Sequence, residues 1–226
     1  MDAELIQFLK QFLTPERTQL FDDKIKQRTN YISIVLENIF QPQNASAVLR
    51  TADCFGIQTL HIIENEYKYA INPDVVRGAS YWLTLHKYYH KENNTREAIL
   101  KLKKQGYRII ATTPHANDVN LENFNLDAGK AAIMFGSEQP GLSKIALDMA
   151  DEYVKIPMFG FTESLNISVS AAIIMHHLTL HLRKSTINWQ LSEKEENEIM
   201  LKWLKTSIRD SEKIVNRFYQ LHDKNN

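Results

Sequence analysis

The chain has 226 residues, 43% of them hydrophobic and 10% aromatic, which is enough to bury a sizeable core and excludes disordered and fibrous classes. Its 27 Lys and Arg residues balance its 27 Asp and Glu residues, so no global charge points to a nucleic-acid or acidic partner. The single cysteine excludes an internal disulfide framework and a cysteine-based zinc cluster, and it suits a reducing cytosol.

The N-terminal segment carries apolar residues at helical spacing from Leu5 to Leu13, and Pro15 opens a second, locally basic segment. This spacing therefore predicts that residues 1–29 form a helical N-terminal extension. The segment lacks the basic leader and cleavage site of a signal peptide, and no apolar run approaches the roughly 20 residues of a membrane helix. We expect a soluble, cytoplasmic protein without a membrane segment.

The compact core begins where a β-branched and aromatic run, residues 31–40, predicts a strand. Asn44 is placed to cap the helix that follows, and Gly56 is placed to end it. Cys54 in this helix has no basic neighbours, so we expect a small buried hydrophobic side chain. Another strand is predicted at residues 59–63.

The rest of the core repeats the alternation of strand and helix. Strands are predicted at residues 82–88, 107–113, 131–135 and 153–158, and helices at residues 95–104, 144–150 and 165–184. This rhythm predicts an α/β fold with a mostly parallel sheet and helices on both faces. The charged, amphipathic residues 185–226 predict a helical C-terminal extension.

The first group of residues that could carry chemistry is Asn44 and Arg50, on one helix after a strand. Asn44 is a good helix cap, and Arg50 alone is typical of a solvated helix charge. The alternative is that a helix start with an amide and an arginine grips a phosphate or a ribose hydroxyl. Both interpretations stay open from these two residues alone.

The second group is the loop at residues 135–143, which holds two glycines and Glu138 after a buried strand. Ligands of parallel sheets bind at the carboxyl ends of strands, so this is a candidate binding loop, although the same residues fit a simple turn. The loop matches neither the dinucleotide-binding nor the triphosphate-binding glycine motif.

The third group joins Glu163, Ser164 and Asn166 at the start of a helix. Capping of that helix by Thr162 or Ser164 is the structural alternative. Capping alone does not explain three polar side chains here, because a short polar group inside a helix costs a few tenths of a kcal/mol unless it has a partner.

His177 and His181 have the spacing of a zinc-binding pair, but they lack the glutamate of the zinc-protease motif. We therefore expect no metal there, and we interpret this part of the helix as an exposed face or a subunit contact.

Together, the segments NASAVLRTADCFGI, IMFGSEQPGLS and IPMFGFTESLNISVSAA resemble the three motifs of the SPOUT-class RNA 2′-O-ribose methyltransferases, over about residues 30–182. Within that class the similarity is greatest to the TrmH family of tRNA guanosine 2′-O-methyltransferases. The resemblance implies a methyltransferase domain at residues 30–184 with a deep C-terminal trefoil knot, flanked by the extensions at 1–29 and 185–226. It also implies a homodimer that binds S-adenosylmethionine in the knot, without a metal.

The resemblance also assigns residues by motif position. It implies a first-motif Asn and catalytic Arg, a second-motif acid and a third-motif polar pair: Asn44, Arg50, Glu138, Ser164 and Asn166. It implies contacts to the methyl donor, largely through the backbone, at Thr112, Gly136, Ile156 and Leu165. Arg50 would act as the general base or as an electrostatic clamp on the ribose and its phosphate.

The activity implied is methylation of tRNA, with the D-loop guanosine at position 18 as the expected target. The alternatives are another tRNA nucleotide, ribosomal RNA, or a noncatalytic RNA-binding protein of the same fold; a nucleotide-dependent oxidoreductase lacks its glycine motif. Because the net charge is zero, RNA affinity must come from local basic clusters in the two extensions. These include Lys24, Lys26, Arg28, Lys202, Lys205 and Arg209.

Overall fold

The structure is a computed structural model that describes residues 2–91, 93–114 and 118–223. The chain divides into two compact units. One unit is Thr29–Trp189, and the other combines Met1–Arg28 with Gln190–Asn226. The candidate site lies in the first of these units.

Seven strands in the described part of the chain form one sheet. They are β1 (Ile32–Glu37), β2 (Thr59–Ile63), β3 (Thr84–Tyr88), β4 (Arg108–Thr112), β5 (Val119–Asn120), β6 (Ala131–Phe135) and β7 (Glu152–Lys155). Their spatial order is β3-β2-β1-β6-β4-β7-β5, and every pairing is parallel. The predicted parallel sheet is confirmed.

Helices cover both faces of this sheet, as the alternation predicts. The helices of the unit are α3 (Pro42–Phe55), α4 (Pro73–Val76), α5 (Asn94–Lys104), α6 (Lys144–Met149) and α7 (Ile167–Lys184). Alternate residues of β1 point to opposite faces: Ile34 joins the core under α3 and α7, and Val35 joins the core under α5 and α6. Strands β1, β2 and β6 are buried along their whole length, which fits their mostly apolar sequences.

The order of the strands in the sheet changes direction at β1: β2 and β3 are added on one side of β1, and the later strands are added on the other side. Strand β1 has β2 on one side and β6 on the other, and the helices that follow β1 and β6 cover opposite faces. In open parallel sheets such a switch point leaves a crevice at the carboxyl ends of the strands, where ligands bind. The loops after β1 and β6 border this crevice.

Two expectations about α3 are wrong. The helix begins at Pro42 with Gln41 at the N-cap, so Asn44 lies inside the first turn and does not cap the helix. Proline is favoured at the first helical position because its missing N–H would have no partner there. Cys54 is exposed, because the buried face of α3 is formed by residues such as Val48 and Ala52, and Cys54 lies on another side.

Several predicted strands are shorter than expected. Strand β1 ends at Glu37, three residues before Phe40, and β3 begins only at Thr84 because residues 79–81 form a 3-10 turn. Strand β7 ends at Lys155, so Ile156 belongs to the loop after it.

The second unit consists of α1 (Asp2–Lys10), α2 (Pro15–Ile25), α8 (Glu193–Ser207) and α9 (Ser211–Asp223). Phe21 and Trp203 pack edge to face in its core, with ring centroids 5.6 Å apart. Burial lowers the pKa of Lys202, which lines a shallow surface cavity with Lys205. Among the residues described in either unit, no helix is long and apolar enough to cross a membrane.

Candidate active site

The carboxyl ends of three neighbouring strands bring together residues that are far apart in sequence. Thr112 ends β4, Gly136 follows β6 and Ile156 follows β7. Since β6, β4 and β7 are adjacent in the sheet, these residues lie side by side at one edge. This edge carries three of the four residues expected to contact the methyl donor.

A cavity of about 390 Å³ opens at this edge, and we call it the strand-end cavity. It is lined by Thr112, Gly136, Ile156 and Leu165 together with Phe135, Glu138, Leu142, Val154, Ser164, Ile174 and others. Its volume and its mixture of apolar walls with a few polar groups suit a nucleoside-sized ligand. All four expected donor-contact residues therefore line one cavity.

Gly136 allows the loop after β6 to fold back on itself. A Cβ atom at this position would lie 2.1 Å from the Gly141 carbonyl carbon and 2.2 Å from the Leu142 nitrogen. Real side chains do not approach backbone atoms so closely, so only glycine fits here. The turn is completed by Gly141, whose φ of 90° lies in the left-handed region.

A second cavity of about 560 Å³ lies beside the first, and we call it the rim cavity. Its walls include Phe40, Gln41, Asn44, Tyr67, Gln139 and Asn166. The two cavities share five lining residues, which are Ser137, Glu138, Ser164, Leu165 and Ile167. The two cavities therefore meet at these five residues.

Three of the predicted site residues form a hydrogen-bonded cluster at this boundary. Glu138 Oε1 accepts hydrogen bonds from Asn44 Nδ2 and Asn166 Nδ2, both at 2.9 Å. Asn166 Nδ2 also lies 3.2 Å from Asn44 Oδ1. Hydrogen bonds to a charged acceptor contribute up to about 1.5–3 kcal/mol each, so the cluster ties the first turn of α3, the loop after β6 and the start of α7 together.

One side of the cluster is buried in the protein, and the other side is exposed to solvent. Asn44 is 7% exposed, whereas Glu138 and Asn166 reach solvent. Glu138 Oε2 makes no hydrogen bond within the described residues. This oxygen is available to accept a hydrogen bond from a ligand hydroxyl in the rim cavity.

Asn166 has a structural role as well as its place in the cluster. It is the N-cap of α7, and its Oδ1 accepts hydrogen bonds from Ser168 N at 2.8 Å and Ser168 Oγ at 2.6 Å. The alternative that Thr162 or Ser164 caps this helix does not hold, and the expected placement of Asn166 inside the helix is wrong. Ser164 instead lies in the loop, where it lines both cavities.

Arg50 is not part of this cluster in the single chain. Its side chain is exposed on α3, lines neither cavity and makes no hydrogen bond or ion pair with any residue that the structure describes. Arg50 follows Asn44 by six residues, which turns it about 120° away around the helix axis. The chain by itself therefore does not bring the predicted catalytic arginine to the other site residues.

Glu37 is a residue near the site that the sequence patterns missed. It ends β1 and is 1% exposed, and its carboxylate accepts hydrogen bonds from Ser143 N at 2.8 Å, Ser143 Oγ at 2.7 Å and Thr95 Oγ1. Ser143 closes the loop that carries Glu138 and caps α6. Glu37 thus anchors the far end of this loop to the sheet. The available signal was an acidic residue ending an otherwise apolar strand.

We expect Glu37→Gln to lower the free energy of unfolding by about 1–3 kcal/mol, because the new amide turns an N–H donor towards groups that themselves donate. Urea denaturation followed by circular dichroism measures the change. Glu122→Gln is the matched control, since Glu122 is exposed, and it should stay within about 0.5 kcal/mol of the parent. Equal stability of the two variants would contradict the anchoring role of Glu37.

The histidine pair lies on α7, with His177 partly buried and His181 exposed. His176, beside them, packs against Phe55 with ring centroids 5.6 Å apart. Within the described residues, no group of three or more His, Cys, Asp or Glu side chains is arranged to hold a metal ion.

Comparison with known proteins identifies the family to which this chain belongs. Residues 31–176, which contain the sheet, the cluster and both cavities, match the SpoU rRNA Methylase family. The chain belongs to this family. The SpoU match covers all three sequence segments that resemble the SPOUT-class motifs.

Relatives of this SpoU protein include tRNA-modifying enzymes. A tRNA (guanosine(18)-2'-O)-methyltransferase of Borreliella burgdorferi is 44% identical over 208 residues, covering 92% of this chain and 93% of the relative. The enzyme of the same name from Thermus thermophilus is 30% identical over 162 residues, 72% of this chain and 81% of the relative. The crystal structure of the A. aeolicus TrmH/SpoU tRNA modifying enzyme aligns with a TM-score of 0.75 at 27% identity, covering 86% of this chain and 98% of that one.

The SpoU methyltransferase AviRb from Streptomyces viridochromogenes, solved in complex with AdoMet, shares the fold. Its TM-score is 0.58 at 21% identity, covering 72% of this chain and 62% of that one.

Proposed function

We propose that this protein transfers the methyl group of S-adenosylmethionine to the ribose 2′-oxygen of guanosine 18 in tRNA. The observation that carries the proposal is the pair of cavities that meet at Glu138, Ser164 and Leu165. A methyl donor in one cavity and a nucleoside in the other would face each other across this boundary. The 44% identical relative named for this reaction supports the choice of substrate.

The strand-end cavity fits the donor. The backward turn at Gly136 exposes loop backbone to the cavity, and Leu142, Val154 and Ile174 supply apolar walls for an adenine ring. When bound, S-adenosylmethionine supplies a methyl group on a positively charged sulfur, which is already activated for transfer. The protein must therefore position the two reactants and accept one proton.

The rim cavity would hold the ribose. Glu138 Oε2 is free to accept a hydrogen bond from a ribose hydroxyl, and Asn44 and Asn166 hold the carboxylate in place. Methyl transfer requires that the 2′-hydroxyl lose its proton while its oxygen bonds to the methyl carbon and the carbon–sulfur bond of the donor breaks, which leaves a neutral thioether. We assign Glu138, Asn44, Ser164 and Asn166 to orienting the ribose, and Arg50 to stabilising or deprotonating the attacking hydroxyl.

Arg50 reaches this chemistry in our proposal through a homodimer. The outer side of α7 carries an exposed apolar stripe formed by Val169, Ile173 and Leu180, whose spacing of four and seven residues places them on one face. Helix α3, which bears Arg50, packs beside α7 against the same core. Pairing of two copies through this stripe would bury it and move the Arg50 of each copy towards the partner's cavities.

Three further features belong to this proposal. We propose that residues 30–184 form the methyltransferase domain with a C-terminal trefoil knot, that the reaction needs no metal, and that it takes place in the cytoplasm.

The basic residues Lys202, Lys205 and Arg209 at the C-terminal extension would contribute RNA contacts. Lys205 and Arg209 are exposed.

Two measurements test the function. Isothermal calorimetry without RNA should show binding of S-adenosylmethionine and of its demethylated product, since the donor cavity is formed by the protein alone. Incubation with unmodified tRNA transcript and radioactive donor should then label it, and a transcript with 2′-deoxyguanosine at position 18 should stay unlabelled. Labelling of the deoxy transcript would move the target to another nucleotide, and absence of donor binding would overturn the enzyme assignment.

A further inference from the structure

The rim cavity has an aromatic wall that the functional assignments leave without a role. Phe40 and Tyr67 are 66% and 41% exposed, and their rings meet edge to face with centroids 5.0 Å apart. Both rings line the cavity that contains Asn44 and Glu138. Large aromatic side chains exposed beside a polar cluster are typical of a binding surface.

Hydrogen bonds to one asparagine side chain join the two segments that carry the aromatic pair. Asn38 adopts a left-handed conformation with φ of 57°, and its Oδ1 accepts hydrogen bonds from the N–H groups of Asn65, Glu66 and Tyr67 at 3.0, 2.8 and 3.4 Å. Asn38 precedes Phe40 by two residues, so one side chain ties both ring-bearing segments together. The two backbone segments that carry the rings are therefore tied together in the protein alone.

We infer that the Phe40–Tyr67 pair is the stacking surface for the nucleobase attached to the ribose that receives the methyl group. This inference rests on the proposed function. The base is bonded to C1′, next to the reacting C2′, so a ribose held at Glu138 places its base in the same cavity. Proteins that recognise unstacked bases in RNA loops stack them on aromatic side chains. The base lies against the more exposed ring of Phe40, and Tyr67 closes the side of the cavity.

The inference is tested by removing each ring separately. Phe40→Ala and Tyr67→Ala should lower kcat/KM for tRNA about tenfold to a hundredfold, the scale of losing one base–aromatic stack. Phe40→Trp should retain activity within about threefold, since a larger ring also stacks. The affinity for S-adenosylmethionine should be unchanged in all three variants, because neither ring lines the strand-end cavity.

A fluorescent base reports stacking independently of catalysis. In tRNA carrying 2-aminopurine at position 18, bound to protein with the demethylated product, emission should be low with the parent and higher with Phe40→Ala. Tyr89→Ala is the matched control. Tyr89 is 53% exposed and lies outside both cavities, so this variant should match the parent in rate and fluorescence.

The outcomes separate this inference from the proposed function. If the parent methylates guanosine 18 and both alanine variants match it in kcat/KM and fluorescence, the stacking role is overturned and the function stands. If the alanine variants instead change the oligomeric state with no change in kcat/KM, the pair is a protein contact and the inference is also overturned. If the parent methylates no tRNA, the proposed function fails together with this inference.

Discussion

Arg50→Ala is expected to lower methyl transfer at least about a hundredfold while the fold and the donor affinity are retained. The fold should be retained because Arg50 is exposed and has no partner within the described part of the chain, so its removal leaves no unpaired group behind. Single-turnover rates with saturating tRNA and donor measure the effect on the chemical step. A variant that methylates at the parent rate would show that Arg50 has no catalytic role.

Arg50→Lys separates two roles of the arginine. Lysine keeps the positive charge but loses the planar fork of donors, so a nearly inactive lysine variant would favour bidentate positioning or a proton role specific to guanidine. Arg96→Ala is the matched control, because Arg96 is exposed on α5, which packs in the core on the opposite face of the sheet. Arg96→Ala should methylate at the parent rate.

Mixing experiments test whether Arg50 acts across a dimer. Arg50→Ala mixed with an excess of Glu138→Ala should regain activity that neither variant has alone, because each mixed dimer contains one site with both residues intact. Light scattering at micromolar concentration should give twice the mass of the 26.3 kDa chain. A monomer, or mixtures without activity, would contradict the proposed exchange of arginines.

Gly136→Ala is expected to abolish measurable donor binding and to destabilise the protein by about 1–3 kcal/mol. The added methyl group would meet the backbone of Gly141 and Leu142 at 2.1–2.3 Å, and backbone atoms can move only if the whole loop opens. Opening the loop displaces Glu138 and Leu142, which line the donor cavity. Calorimetry with S-adenosylmethionine and thermal denaturation measure the two effects.

Gly160→Ala provides the comparison in a neighbouring loop. A Cβ atom at Gly160 meets nothing within 4 Å, and its backbone is not left-handed. This variant should bind the donor like the parent and differ in stability by less than about 0.5 kcal/mol. If both alanine variants bind the donor normally, the folded-back loop is not the donor cradle.

The sequence was most informative where local pattern and topology agree. Alternation of apolar strands with amphipathic helices predicted the parallel sheet, because buried strands need crossover helices to connect them. The resemblance assigned Thr112, Gly136 and Ile156 to the methyl donor, and the structure places them at the neighbouring ends of β4, β6 and β7. The segments resembling the SPOUT-class motifs added Asn44, Glu138 and Asn166, which the structure brings within hydrogen-bonding distance.

The sequence was least informative about which polar side chain caps which helix. Capping preferences differ by only about 1 kcal/mol, so they do not decide between adjacent asparagines and serines. Asn44 lies inside its helix, where its side chain bonds to Glu138, 94 residues away in the sequence. Asn166 caps its helix and is also a member of the cluster.

The sequence by itself determined the fold class, because the periodicity of apolar residues is a local property. The candidate site residues came from the resemblance to the SPOUT-class motifs. Only the tertiary structure decided that Glu37 is buried beneath the site loop, that Cys54 faces outward and that Phe40 meets Tyr67. Each of these depends on a residue 27 or more positions away or on the face by which a helix packs. Such pairings are selected by the burial of the whole core, and no local preference is strong enough to specify them.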